Sequence, residues 1–180
     1  MENQDPKCSL EEHKRITDMP KDTHSDEEIK EILSKYKNVA VVGMSREEGK
    51  DSHEIPKYLI QKGFNVIPVN PNADEILGRK VYKSISDVQE TVDIVDIFRP
   101  SDKVLPVVQA AISKNPKVIW MQEGISNNEA RKLAESNGII VIFNRCMMKE
   151  HIRLFGINGN IYIKFLQCMA FWTAKDPFIT

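Results

Sequence analysis

Five short apolar runs rich in β-branched residues, separated by helical segments, constrain the fold of this chain more than any other feature. Nearly continuous apolar strands are typical of strands that are buried on both faces of a sheet. Helical periodicity lies between the runs, and the alternation of strand and helix predicts an α/β fold, a doubly wound and mostly parallel sheet with helices on both faces. The predicted strands lie at residues 39–42, 66–69, 94–98, 118–121 and 139–142, and the helices between them at 53–62, 102–114 and 127–137.

Residues at the ends of these segments predict where the helices begin and stop. Ser101 and Ser126 stand just before two of the helical segments, where a serine hydroxyl can cap the first turn. Gly63 and Gly138 follow the last periodic residues of two helices, where glycine commonly ends a helix. The sequence therefore predicts two serine caps and two glycine stops.

Three further signals refine the sheet and its first helix. The motif Ser25-Asp26-Glu27-Glu28 has the spacing of a capping box and predicts a helix over residues 26–36. Pro68 argues against a fully hydrogen-bonded central position for the second strand. Residues 80–82 predict a weaker extra strand.

Length and composition divide the chain into one domain with two flanking segments. A chain of 180 residues is expected to form one domain. Residues 1–24 hold many charges and almost no large apolar side chains, which predicts a loose N-terminal tail. Residues 25–155 form the predicted domain, and residues 156–180 form an apolar C-terminal extension. The apolar stretch 161–172 needs burial, so we expect the protein to associate as a homodimer.

Charge and cysteine content exclude several classes of function. The formal net charge is −1, and residues 37–180 carry 19 basic against 16 acidic side chains, too weak an excess for a nucleic-acid-binding protein. No apolar run reaches 18 residues, so no membrane span is expected. The first residues lack a secretory leader pattern, which predicts a cytoplasmic location. The three cysteines are scattered without metal-ligand spacing, so reduced thiols are expected.

The loop after the first strand resembles a phosphate-binding loop only in part. In a doubly wound sheet the ligand lies beyond the carboxyl ends of the strands. Gly43 opens this loop, but Ser45 and Glu48 stand where a dinucleotide fingerprint needs glycine. A glycine turn, hydroxyl groups and the cations Arg46 and Lys50 remain, leading into a helix whose first amides can receive an anion. A solvated loop without ligand is the alternative.

Residues after the other strands favour a nucleotide other than NAD. Asn70 stands where an NAD site usually places a carboxylate for the ribose hydroxyls, and its lack of charge would tolerate a 3′-phosphate. Phe98, Arg99 and Pro100 follow the third long strand and suit stacking on adenine or holding a pyrophosphate. A surface ion pair with Asp102 or Glu123 is the alternative role for Arg99.

Seven motifs in order along the chain resemble a known family. They are Val41-Val42-Gly43-Met44-Ser45, Pro56-Lys57-Tyr58-Leu59, Pro68-Val69-Asn70-Pro71, Gly78-Arg79-Lys80-Val81-Tyr82, Val92-Asp93-Ile94-Val95-Asp96-Ile97-Phe98-Arg99, Trp120-Met121-Gln122-Glu123-Gly124-Ile125 and Asn144-Arg145-Cys146. Together they are similar to the CoA-binding-domain family, small proteins that resemble the N-terminal domain of the succinyl-CoA synthetase α subunit. The resemblance covers about residues 37–155 and implies a Rossmann-like fold that binds coenzyme A or an acyl-CoA.

The resemblance also implies a set of ligand contacts. The candidate cofactor-binding residues are Gly43, Met44, Ser45, Arg46, Lys50, Asn70, Pro71, Phe98, Arg99, Pro100, Met121, Gln122 and Glu123. The sequence departs from the family in three places: Asn144 replaces the usual aspartate, the first loop lacks a stiffening proline, and the residues beyond Gly156 have no counterpart.

No catalytic set emerges from the sequence, so the protein is expected to bind a ligand rather than act as an enzyme on its own. Asp93 and Asp96 do not form a carboxylate pair and are interpreted as strand-end and helix-pairing charges. Cys146 and His151 could share a helix, and Cys146 is either a buried inert thiol or a partner for a mixed disulfide with CoA. An NAD(P)-dependent oxidoreductase and an interaction module without ligand are the two alternative functions.

Overall fold

A five-stranded parallel sheet forms the centre of the protein. The computed structural model describes residues 19–156. The helices are α1 (Asp26–Lys35), α2 (Asp51–Gln61), α3 (Val104–Ile112), α4 (Asn128–Ser136) and α5 (Met147–Phe155). The strands are β1 (Asn38–Val42), β2 (Asn65–Val69), β3 (Glu75–Ile76), β4 (Arg79–Lys80), β5 (Ile94–Ile97), β6 (Val118–Met121) and β7 (Ile140–Ile142). The sheet order β2-β1-β5-β6-β7 confirms the predicted doubly wound architecture.

Two apolar cores cover the two faces of the sheet, as the unbroken apolar strands predict. One core contains buried side chains of α1, α2 and the start of α5, with Trp120 from β6 among them. The other contains side chains of α3 and α4 packed on the opposite face. Alternate residues of each strand enter opposite cores. Burial on both sides therefore explains why these strands lack a polar face.

The edge of the sheet explains two smaller features. β2 is an edge strand, so Pro68 removes no hydrogen bond from a central ladder, and the prediction for this residue is confirmed. The predicted extra strand is shorter than expected, because only Arg79 and Lys80 form β4, which pairs antiparallel with β3. Tyr82 then makes one parallel bridge to Val69 at the end of β2.

Helix ends follow the predictions in part. Gly63 and Gly138 have positive φ angles of 84° and 72°, directly after α2 and α4, and the glycine stops are confirmed. The two serine caps are wrong. The Ser101 hydroxyl accepts from the amide of Ser126 and joins two loops, whereas Asn127 caps α4 by accepting from the amide of Ala130. A short 3₁₀ turn from Ser101 to Lys103 precedes α3.

The segment before α1 is held against the sheet rather than loose. The carboxylate of Asp22 is fully buried, accepts a hydrogen bond from the amide of Phe143 and forms an ion pair with the side chain of Arg145. Arg145 also donates to the carbonyl oxygens of Asp22 and His24. The prediction of a tail up to residue 24 is therefore wrong for residues 20–24, because one buried ion pair anchors them across about 120 residues of sequence. The capping box of α1 is confirmed.

Several predictions fall on residues outside the described part of the chain. These are the tail over residues 1–18, including Cys8, and the apolar stretch 161–172 with Cys168. Within residues 19–156, no helix is long and apolar enough to cross a membrane.

Candidate functional site

Gly43 brings two loops into contact at the carboxyl edge of the sheet. Its φ angle is +91°, and its amide donates to the carbonyl of Val69. A Cβ atom at this position would lie 2.4 Å from the carbonyl oxygen of Phe98 and 3.0 Å from Cδ of Arg99. Only glycine permits this approach. The loops after β1 and β5 therefore meet directly above the middle of the sheet.

Asn70 ties the loop after β2 to the loop after β1. Its side-chain amide donates to the carbonyl of Met44 at 2.7 Å, and its side-chain oxygen accepts from the amide of Asn72 at 2.8 Å. The neighbouring Pro71 is exposed. Asn70 thus has a structural reason to be an amide, since only a group that is both donor and acceptor makes both bonds.

The loop after β1 forms a compact turn in which some hydrogen-bond donors remain available for a ligand. The Ser45 hydroxyl accepts from the amide of Glu47 at 3.0 Å, and Lys50 pairs with the Glu47 carboxylate at 2.6 Å. The Arg46 side chain is exposed, and the amides of Arg46 and Glu48 have no acceptor among residues 19–156. Unused amides and an arginine next to a helix start are typical of an anion site.

The buried side chain of His53 holds this loop by a hydrogen bond to its backbone. Its Nδ1 lies 2.9 Å from the carbonyl oxygen of Ser45, and a carbonyl only accepts, so Nδ1 carries a hydrogen. His53 is only 4% exposed, and its Nε2 has no hydrogen-bond partner within the described residues. The histidine therefore acts as a buried support for the loop. No local motif in the sequence predicts this role for His53.

The loop after β5 presents an aromatic ring and a cation that is not held by an ion pair in the described chain. Phe98 and Arg99 are half-buried, and Pro100 is exposed. Among residues 19–156 Arg99 forms no ion pair or side-chain hydrogen bond, so the alternative pairing with Asp102 or Glu123 does not occur there. The guanidinium is available for a ligand.

A buried polar pair lies beneath the loop after β6. Asp96 is completely buried in β5, and both of its carboxylate oxygens accept from the side-chain amide of Gln122, at 2.9 and 3.0 Å. Burial raises the pKa of Asp96 to about 7, although the hydrogen bonds from Gln122 and Ile97 oppose the shift. The interpretation of Asp96 as a helix-pairing charge is therefore wrong. Asp93 does lie at a strand end, where its carboxylate accepts from two backbone amides.

Gln122 and Glu123 connect the same loop to α5. The side-chain oxygen of Gln122 accepts from the amide of Met147 at 3.3 Å. Glu123 is paired with Lys149, a cation outside the predicted set of contacts. Lys149 lies 26 residues further along the chain, and no local spacing in the sequence indicates that its helix returns to this edge.

Cys146 is the N-cap of α5 and has the properties of a structural thiol. Its residue is 6% exposed, and burial raises the pKa of the thiol to about 11 despite the amides of Lys149 and Met148. His151 lies within α5, so the two residues border the same helix, but the His151 ring bonds to the hydroxyl of Tyr58 at 2.9 Å. A thiol of this pKa is almost entirely protonated at neutral pH, which disfavours the mixed disulfide.

The predicted cofactor-binding residues thus fall into a buried group and a group at the surface. Met44, Met121 and Gln122 are buried and support the site from within. The remaining candidates lie at the surface of the carboxyl edge or border it: Gly43, Ser45, Arg46, Lys50, Asn70, Pro71, Phe98, Arg99, Pro100 and Glu123. No cluster of metal-ligating side chains occurs in the described part of the chain.

Comparison with known proteins identifies the family to which this arrangement belongs. The family model described as CoA binding domain matches residues 37–152, which include all the loops at the carboxyl edge. The chain belongs to the CoA-binding-domain family. Its parallel sheet and helix layers are the Rossmann-like architecture expected for that family.

Relatives in this CoA-binding-domain family include short proteins and parts of long enzymes. The protein YneT of Bacillus subtilis is 37% identical over 127 residues, which cover 71% of this chain and 94% of YneT. A hypothetical protein of Pyrococcus horikoshii OT3 has a solved structure that is 43% identical, with a TM-score of 0.74 over 77% of this chain and 97% of that one. An ADP-forming acetate–CoA ligase of Methanocaldococcus jannaschii is 34% identical over 139 residues, and the match covers 72% of this chain but only 20% of the ligase.

Proposed function

We propose that the protein binds coenzyme A or an acyl-CoA at the carboxyl edge of its sheet, without catalysing a reaction on its own. The observation that carries the proposal is the match to the CoA binding domain across residues 37–152, which contain every loop of the candidate site. The acetate–CoA ligase supports the choice of ligand, because its name gives CoA as a substrate and a segment of it is similar to this chain.

The donors at this edge fit a phosphorylated ligand. Arg46 and Arg99 carry cationic groups that are not occupied by ion pairs within residues 19–156, and the amides of Arg46 and Glu48 are unused there. Charge-assisted bonds from arginine to phosphate are strong and directional. In this proposal the first loop and Arg99 hold the pyrophosphate, and Phe98 stacks on the adenine ring.

The loop after β2 favours CoA over NAD. A carboxylate at this position holds the ribose diol in an NAD site, and it would repel a 3′-phosphate. Asn70 is neutral, and its side chain already bonds to Met44 and Asn72. The site therefore lacks the usual NAD anchor and offers no charge against the 3′-phosphate of CoA.

The biological role that fits this site is a carrier, a sensor or a module that presents CoA to a partner. The similarity covers only 20% of the acetate–CoA ligase, so four fifths of that enzyme have no counterpart in the match. The carboxyl groups of Asp96 in β5 and of Glu123 after β6 are occupied by Gln122 and Lys149. A role in binding CoA does not need the parts of the ligase that lie outside the match.

Native mass spectrometry of the full chain tests this proposal. The protein is mixed with equal concentrations of CoA and NAD, and we expect the mass of one CoA per chain to be retained. Retention of NAD instead would support the oxidoreductase alternative. Retention of neither ligand would contradict the proposal and favour an interaction module.

Location and assembly complete the proposal. We infer a cytoplasmic protein that forms a homodimer through the apolar stretch 161–172, both from the sequence pattern. Sedimentation of the full chain beside a version that stops at Gly156 checks the assembly. A soluble, monomeric full chain would contradict the dimer.

A further inference from the structure

An ion pair joins the loop after β6 to helix α5 at the edge of the candidate site. The ammonium group of Lys149 donates to the carboxylate of Glu123. Both side chains remain open to water, with 57% of Lys149 and 44% of Glu123 exposed. An exposed pair of this kind contributes at most about 1 kcal/mol. The Glu123 carboxylate can therefore be replaced on Lys149 by a more strongly binding anion at little cost in free energy.

Helix packing brings Lys149 to the side of the sheet that holds the proposed phosphate loop. Helix α5 packs against α2, where the His151 ring bonds to the Tyr58 hydroxyl at 2.9 Å. Asp51 is the first residue of α2 and directly follows the loop that begins at Gly43. Burial acts to lower the pKa of Lys149, but the carboxylates of Glu123 and Asp51 raise it, so the side chain is a cation at neutral pH. Lys149 thus lies on the helix that borders α2 and is paired with the loop after β6.

We propose that Lys149 is a phosphate-binding residue of the site, and that a phosphate group of the bound ligand displaces Glu123 from it. The inference rests on the proposed CoA-binding function. A phosphate group carries up to two negative charges and accepts several hydrogen bonds, so it competes well with a single carboxylate. The released Glu123 stays in contact with water and suffers no desolvation. Glu123 then acts as a competitor that sets the affinity, not as a ligand contact.

Calorimetric titration of CoA into four variants of the full chain tests the exchange. Lys149→Met is expected to weaken binding about tenfold, the loss of one charge-assisted contact. Glu123→Gln is expected to tighten binding about threefold, because Lys149 no longer has to be released. Lys132→Met and Glu135→Gln, both on α4 and at exposed positions, change the net charge equally and should leave the affinity unchanged.

The double variant separates an exchange from simple repulsion. If Glu123 acts by occupying Lys149, the gain from Glu123→Gln disappears in the Lys149→Met background. The same gain in both backgrounds would show repulsion alone and overturn the inference, as would equal affinities for Lys149→Met and Lys132→Met. Each of these results leaves CoA binding by the wild-type protein intact. A wild-type protein that does not bind CoA would instead overturn the proposed function, and this inference with it.

Discussion

The side chain of Asn70 is bonded to the backbone carbonyl of Met44 at 2.7 Å, and this bond joins the loops that follow two neighbouring strands. Gly43 makes the second junction, since its α-carbon packs against the carbonyl group of Phe98. Both junctions lie at the carboxyl edge, the side of a doubly wound sheet where ligands generally bind. The shape of the site is therefore set mainly by backbone contacts, and side chains supply charge.

Replacing Gly43 by alanine should disrupt the centre of the site. The new Cβ would lie 2.4 Å from the carbonyl oxygen of Phe98, at a φ angle of +91° that alanine rarely adopts. We expect a loss of more than about 2 kcal/mol in the free energy of unfolding, measured by urea denaturation. Gly63→Ala is the matched control, because its φ is +84° but nothing lies within 4 Å, and it should cost only about 1 kcal/mol. Equal losses in the two variants would contradict the close approach.

Asp96 should make the protein less stable as the pH rises from about 4 to about 7. The pKa of Asp96 is raised by burial from 3.8 to about 7, so the folded state holds the proton more tightly than the unfolded chain. The contribution of protonated Asp96 to the free energy of unfolding is complete below its pKa in the unfolded chain. This contribution is lost as the pH rises through its pKa in the folded protein, by up to roughly 4 kcal/mol. Above pH 7 the ionisation of Asp96 causes no further change in the free energy of unfolding.

Urea denaturation of Asp96→Asn across this pH range checks the prediction, because the variant cannot ionise there. The decline of stability between pH 4 and pH 7 should become smaller in Asp96→Asn and remain in Asp102→Asn, an exposed control. An Asp96→Asn curve parallel to that of the wild type would show that Asp96 does not titrate in this range.

The sequence predicted the strands and most helices because burial on both faces leaves a local signature, the unbroken β-branched run. Pro68 even indicated the edge position of β2. Asp96 could not be interpreted in the same way, because its partner Gln122 belongs to another strand and local spacing does not show that the two meet. Contacts between distant segments have no local signal.

In the candidate site, too, features with a local sequence signal were predicted, whereas contacts between distant segments were missed. The glycine turn at Gly43 and the position of Asn70 followed from their places after strands, which the topology fixes. Lys149 and His53 were missed, since one reaches the edge from a later helix and the other acts through a backbone carbonyl. The segment around Asp22 was expected to be loose because its composition is polar, whereas an ion pair and hydrogen bonds with Arg145 and Phe143 anchor it.

The anchor of the N-terminal segment should make a large contribution to stability. Asp22→Ala leaves Arg145 without one carboxylate partner and removes the acceptor of the Phe143 amide. We expect a loss of about 3 to 5 kcal/mol in the free energy of unfolding, as is typical when one partner of a buried pair is removed. Asp26→Ala breaks an exposed pair with Arg153, which water screens, and should cost much less. Equal effects in urea denaturation would show that residues 20–24 are not anchored.

Arg99 should contribute directly to ligand affinity. The Cδ atom of Arg99 lies next to Gly43, and its guanidinium has no ion pair within residues 19–156. Calorimetry of Arg99→Ala should show CoA binding weaker by about 1 to 3 kcal/mol, the usual contribution of a charge-assisted hydrogen bond. Lys117→Ala removes the same charge from an exposed position before β6 and should bind as the wild type does. An unchanged affinity in folded Arg99→Ala would remove this residue from the site.

The relative affinity for CoA and NAD tests the account most directly. Isothermal titration of the full chain with each ligand, under the same buffer and salt, should show CoA binding at least about tenfold tighter, a difference of about 1.4 kcal/mol. The preference follows from the neutral Asn70, which lacks the carboxylate that anchors NAD and does not repel the 3′-phosphate of CoA. Equal affinities, or tighter binding of NAD, would contradict the assignment of this site to coenzyme A.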